Sequence, residues 1–101
     1  MKDYMKDPVR TLQLLDKAEV NSAMPLNIVD ELRSAVYRNM YRNKSALHYA
    51  RRAYVSDSLS HDNPSHLLRM TVSMAELFSL LSEYKESMRY AVQGVELARE
   101  L

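Results

Sequence analysis

A single glycine, Gly94, among 101 residues leaves little room for a fold built on tight strand turns. Two-residue β-hairpins draw on residues that accept positive φ, above all in Asn-Gly and Asp-Gly pairs, and neither dipeptide occurs in the chain. Helices joined by short polar turns have no such requirement. The expected fold class is all-α. A chain of this length makes one domain, burying roughly 65% of its unfolded surface. Its 47% hydrophobic and 27% charged residues suit a packed core rather than disorder.

Apolar spacing divides the chain into five helical segments. Val9, Leu12, Leu15 and Ala18 line one stripe of a first helix over 8–20, opened by Asp7 as N-cap and Pro8 at the first helical position. A second helix, from about Pro25 to Arg42, carries Ile28, Val29, Leu32, Ala35, Val36 and Met40. The third, about Lys44 to Ser58 with Asn43 as its cap, carries Ala46, Leu47, Ala50, Ala53 and Tyr54. Asn63-Pro64 repeats the cap-plus-proline start for a fourth helix reaching about Leu81. A fifth runs from about Glu83 to the end, with Glu83 and Glu86 beside its positive N-terminal end.

These segments repeat. Ser45 to Tyr54 aligns with Glu86 to Val95, so that Ala46, Ala50 and Ala53 fall on Ser87, Ala91 and Gly94, and Tyr49 falls on Tyr90, always 41 residues on. The same offset carries Ser34 to Ala75 and Tyr37 to Phe78. A weaker copy upstream relates Thr11, Leu15 and Ala18 to Ala46, Ala50 and Ala53 at an offset of 35. Small residues at this spacing let helix backbones approach closely, and the aromatics fill the space between hairpins. Ala50 and Ala91 are accordingly expected at buried points of closest approach. The organisation expected is a lone second-half helix over 8–20, hairpin 1 over 25–58 and hairpin 2 over 64–101.

In these residues the chain resembles the tetratricopeptide repeat (TPR) family. The resemblance is closest over Thr71 to Leu97, where Met74, Ala75, Phe78, Tyr84, Ser87, Ala91 and Gly94 fall on signature positions. Departures are specific: Arg33 stands where the family places a leucine, and Tyr41 and Ser82 stand at the usual turn glycine. The resemblance implies antiparallel hairpins stacked as a short right-handed α-solenoid that binds protein or peptide. The phrase Asp7 to Glu19 is also similar to repeat regions of bacterial regulatory and sensor proteins. A first helix lacking its hairpin partner suggests a piece of a longer array.

The chemistry-bearing residues give no catalytic constellation. His61, Asp62 and His66 cluster around a loop, but Pro64 interrupts the spacing that two histidines on one helical face need, so a solvated capping loop is expected there. No Gly-rich phosphate loop or nucleophile elbow is present. Neither an enzyme activity nor a cofactor or metal is expected, and the lack of cysteine excludes thiolate chemistry. A formal charge of +1 gives no global attraction to nucleic acid. No apolar run approaches the ~20 residues of a membrane span, and the charged Met-Lys-Asp-Tyr-Met-Lys-Asp start lacks a signal-peptide pattern, which favours a cytoplasmic setting.

Three surfaces remain as candidates. Carried over from the TPR resemblance, a partner groove would be lined by Glu31, Ala35, Arg38 and Asn39, then Arg69, Ser73, Glu76 and Leu80. Arg38, Arg42, Arg51 and Arg52, with Lys44 nearby, could form a basic patch for an acidic peptide or phosphates. The competing expectation is solvated arginines paired with Asp57 or Glu31. Leu12 and Leu15 on the first helix, and Val92 and Val95 on the last, are expected to support self-association. The leading functional reading is a non-enzymatic protein-protein interaction module, a scaffold within a bacterial regulatory or signalling protein. The alternative is a nucleic-acid-linked regulator region that uses the arginine patch.

Overall fold

The computed structural model describes residues 7–101; the charged start over 1–6 lies outside them. The described residues form five α-helices and no strand: α1 Pro8–Val20, α2 Leu26–Asn39, α3 Asn43–Ser60, α4 Pro64–Leu80 and α5 Tyr84–Glu100. None is long and apolar enough to cross a membrane. Both cap-plus-proline starts form as the residues dictate. The Asp7 carboxylate accepts from Arg10 N–H, and the Asn63 side chain accepts from His66 N–H, each at 3.1 Å. Asn43 is the first residue of α3 rather than its cap. Arg42 holds the cap position without a side-chain bond.

Packing runs chiefly between consecutive helices. Contacts between α2 and α3 join Asn27 to Asp57, Asp30 to Arg52 and Ser34 to Ala46. Rising numbers on one helix meet falling numbers on the other, so the pair is antiparallel. The bonds from α2 to α4 instead join Glu31 to Arg69 and Arg38 to Glu76, rising together. On the other side Tyr54 of α3 bonds Gln93 of α5 and meets the edge of Tyr90. The second hairpin thus packs on the first mainly through α3 and α4, with side-chain bonds also linking α2 to α4 and α3 to α5.

The repeat is geometric as well as sequential. Tyr37 stacks on Tyr49 at 5.7 Å between centroids, and 41 residues on Phe78 stacks on Tyr90 at 5.6 Å. Ser34 Oγ donates to the Ala46 carbonyl at 2.8 Å, while in the second hairpin Ser87 Oγ donates to the Ala75 carbonyl at 2.7 Å. The pair of positions is the same, with donor and acceptor exchanged. The turns match too: Arg42 N–H donates to Tyr37 O and Glu83 N–H to Phe78 O. In each, one residue adopts positive φ, Tyr41 at 60° and Ser82 at 63°.

The core joins Ala46, Ala50 and Ala53 to Met70, Met74, Leu77, Phe78 and Tyr90. Alanines on α3 admit the larger side chains of α4, and each fully buried Met or Leu contributes about 1.5–3 kcal/mol relative to exposure. One expectation fails. Ala50 is fully buried, but Ala91 is exposed, because α4 covers the face of α3 that holds Ala50 and, among the described residues, no helix covers the matching face of α5.

Candidate functional site: a groove between α2 and α4

The first helices of the two hairpins face each other across a groove. Glu31, Ala35, Arg38 and Asn39 from α2 line it with Ser73 from α4, over a floor that includes Met70 and Leu77. Beside it a second depression brings Arg38 together with Glu76 and Leu80. Two ion pairs close the groove at its ends: Arg69 to Glu31 at 3.0 Å and Arg38 to Glu76 at 2.8 Å. The structure therefore brings all eight groove residues to one α2/α4 surface. Helical period places them there, since 31, 35, 38 and 39 share one side of α2 while Val29, Arg33 and Val36 turn toward the core.

At the Glu31 end of the groove lies a polar cluster that joins α2, α3 and α4. His66 Nδ1 meets Asp57 Oδ2, and His66 Nε2 lies 2.9 Å from Glu31 Oε1. The other Asp57 oxygen accepts from Asn27 Nδ2 at 2.7 Å. His66 is thus buried, not part of the solvated loop expected for it, whereas His61 and Asp62 are exposed. Each ring nitrogen of His66 is thus turned to a carboxylate. Among the described residues no group of three His, Cys, Asp or Glu side chains is placed to hold a metal. The cluster ties three helices together and fixes the Glu31 carboxylate at the groove edge.

A second buried network explains the departure at position 33. Arg33 donates to Asp30 at 3.0 Å and Asp16 at 2.8 Å, and its Nη2 lies 2.6 Å from Glu19. Its guanidinium also stands over the Tyr49 ring. Burial works against the charged form, but the bonds to Glu19, Asp16 and Asp30 and the Glu19 charge outweigh it and hold Arg33 above its ordinary range. Arg52 adds an ion pair with the other Asp30 oxygen at 3.2 Å. A leucine at 33 could not bind α1 to α2 in this way.

These pairings divide the arginine patch. Arg38 is engaged with Glu76 on the groove face, and Arg52 with Asp30 on a different surface. Arg51 lies over the Phe78 ring, and Arg42 is exposed at the hairpin turn. The partners expected for them, Asp57 and Glu31, are taken by His66, Asn27 and Arg69. On the outer helices, Leu15 is buried against its own chain rather than available to a second copy, and Leu12 is half-buried. Val92 and Val95 are exposed, on a stripe shared with Tyr84 and Met88.

The buried polar residues carried a sequence signal. Asp57 continues the core stripe Ala46, Ala50, Ala53, and His66 begins the stripe Met70, Met74, Leu77. A polar side chain on an otherwise apolar stripe is a paired, buried group in waiting. Compared with known proteins, the chain matches no family model, no curated protein and no solved structure.

Proposed function

We propose that this chain is a non-catalytic, TPR-like interaction module that binds a segment of another protein in the α2/α4 groove. The observation that carries this reading is the convergence of Glu31, Arg38, Asn39, Ser73 and Glu76 on one surface held open by two repeated hairpins. The groove has an apolar floor and polar rims, the arrangement that gives a peptide both burial and orientation. Its charges are already balanced, Arg69 by Glu31 and Arg38 by Glu76. It therefore suits a mixed polar and apolar segment better than a polyanion. The regulatory or signalling setting rests on the resemblance around Asp7 to Glu19, and a right-handed solenoid on the TPR resemblance.

Peptides selected for binding from a random display library test the reading. They should lose about tenfold or more in affinity against Ser73→Arg and Asn39→Arg, both of which place a long cation in the groove. Selected peptides indifferent to both substitutions would remove the groove as the binding site.

A further inference from the structure

A second surface lies on the outer face of α3, and it shares no lining residue with the groove. His48, Arg52, Val55 and Leu59 follow one another at intervals of four, three and four residues, one side of a helix. Leu26, at the start of α2, and Arg51 flank this row and help enclose a depression of about 550 Å³. Its apolar members are uncovered, with Leu26 44%, Val55 45% and Leu59 78% exposed. Its charges have one sign outward. Asp30 is the only carboxylate in the lining, and it is buried with one oxygen held by Arg33 and the other by Arg52. Arg51 enters no ion pair among the described residues and rests over the Phe78 ring, 5.8 Å from its centroid.

We propose that this face docks an amphipathic, acidic helix of a partner protein. The row of positions at four- and three-residue intervals is the spacing at which a second helix lays its own apolar side chains. Leucine-like side chains of the partner fill the depression against Leu26, Val55 and Leu59. Carboxylates flanking that stripe meet Arg51, which has no acidic partner among the described residues, whereas Arg52 is already held by Asp30 at 3.2 Å and lies 3.9 Å from Glu19. Nucleic acid fits less well, since apolar side chains fill the middle of the surface where phosphates would need further cations. The proposal goes beyond the groove reading and does not depend on it.

A synthetic amphipathic peptide with leucines at the same intervals and glutamates on both flanks tests it, alongside a lysine counterpart. Titrated against the full chain, the glutamate peptide should shift backbone amide signals along 48–59. Its affinity should fall about tenfold or more with Arg51→Glu and with Leu59→Glu, while Ser73→Arg leaves it unchanged. Both altered residues are exposed, circular dichroism verifies that the variants remain helical, and Arg51→Gln should give an intermediate loss. The proposal is overturned if the glutamate peptide does not bind at ~1 mM, if the lysine peptide binds as tightly, if Arg51→Glu has no effect, or if the shifts map to the groove. Salt-sensitive binding of a DNA duplex without binding of the glutamate peptide would overturn it in favour of phosphate.

Discussion

Arg33 shows how one side chain redirects a repeat. Its guanidinium sits at 5% residue exposure among Asp16, Glu19 and Asp30, and Asp30 is itself at 1%. Replacing Arg33 with leucine, the residue the TPR resemblance calls for, leaves Asp30 buried with Arg52 as its one cation. Breaking a buried pair from one side costs about 3–5 kcal/mol, and here the exposed Asp16 and the surviving Arg52 put the expected loss near the lower end, ~3 kcal/mol. Urea denaturation of Arg33→Leu against the parent measures this, and a loss below ~1 kcal/mol would show the network to be ornamental. The pH dependence has a definite sign. Because the folded value of Arg33 is raised, its contribution is fully present below the ordinary arginine value and lost only as pH rises through the folded one. The gap between parent and variant should therefore stay constant from about pH 7 to 9, where arginine does not titrate.

At the scale of the helices, the chain places its glycine and its left-handed residues in opposite ways. Gly94 lies inside α5 with ordinary helical φ, and a methyl group there would meet Val72 Cγ2 at 3.7 Å and Thr71 Cγ2 at 3.9 Å, ordinary contacts. Gly94→Ala should stabilise by about 0.5–1 kcal/mol, read as a rise of several degrees in the thermal midpoint. Ser82, at φ 63°, should gain up to ~1 kcal/mol on replacement by glycine, because relief of left-handed strain exceeds the added chain entropy. Repeat-equivalent positions should part ways in the same assay. Ala50→Leu overpacks the α3/α4 contact and should cost about 1–3 kcal/mol, whereas Ala91→Leu should cost under ~0.5 kcal/mol on its exposed face. The helices themselves were legible in the sequence, from the Asp7-Pro8 and Asn63-Pro64 starts and from the alanine stripe of α3. The 41-residue offset showed the equivalence of Tyr37 with Phe78 and of Tyr49 with Tyr90, but not that each hairpin stacks its own two rings, which were expected in the space between hairpins. The difference between Ala50 and Ala91 was not legible, because burial of the second depends on which neighbours exist rather than on local period. The partners of Arg38, Arg52, Asp57 and Glu31 were hidden for a related reason: charges pair across helices, and one-dimensional spacing does not give the inter-helix register.

For the whole molecule, the consequence of this packing is an uncovered flank. Tyr84, Met88, Val92 and Val95 form an exposed apolar stripe on α5. Met88 and Val95 are the repeat equivalents of Leu47 and Tyr54, which pack against the core on α3. We propose that this stripe serves self-association, since contiguous exposed apolar patches are uncommon on monomers. Sedimentation should show association at ~100 µM that Val92→Glu and Val95→Glu abolish, while Leu12→Glu has the smaller effect because Leu12 is half-buried within its own chain. A clean monomer unaffected by the three changes would contradict this use of the flank. The groove, however, is the centre of the account, and locating a bound peptide tests it most directly. Backbone amide shifts of the full chain, recorded as a display-selected peptide is titrated in, should move at Glu31, Ala35, Arg38, Asn39, Ser73 and Glu76. A peptide that saturates while moving only the outer face of α3 or the stripe on α5, with those six amides still, would contradict it.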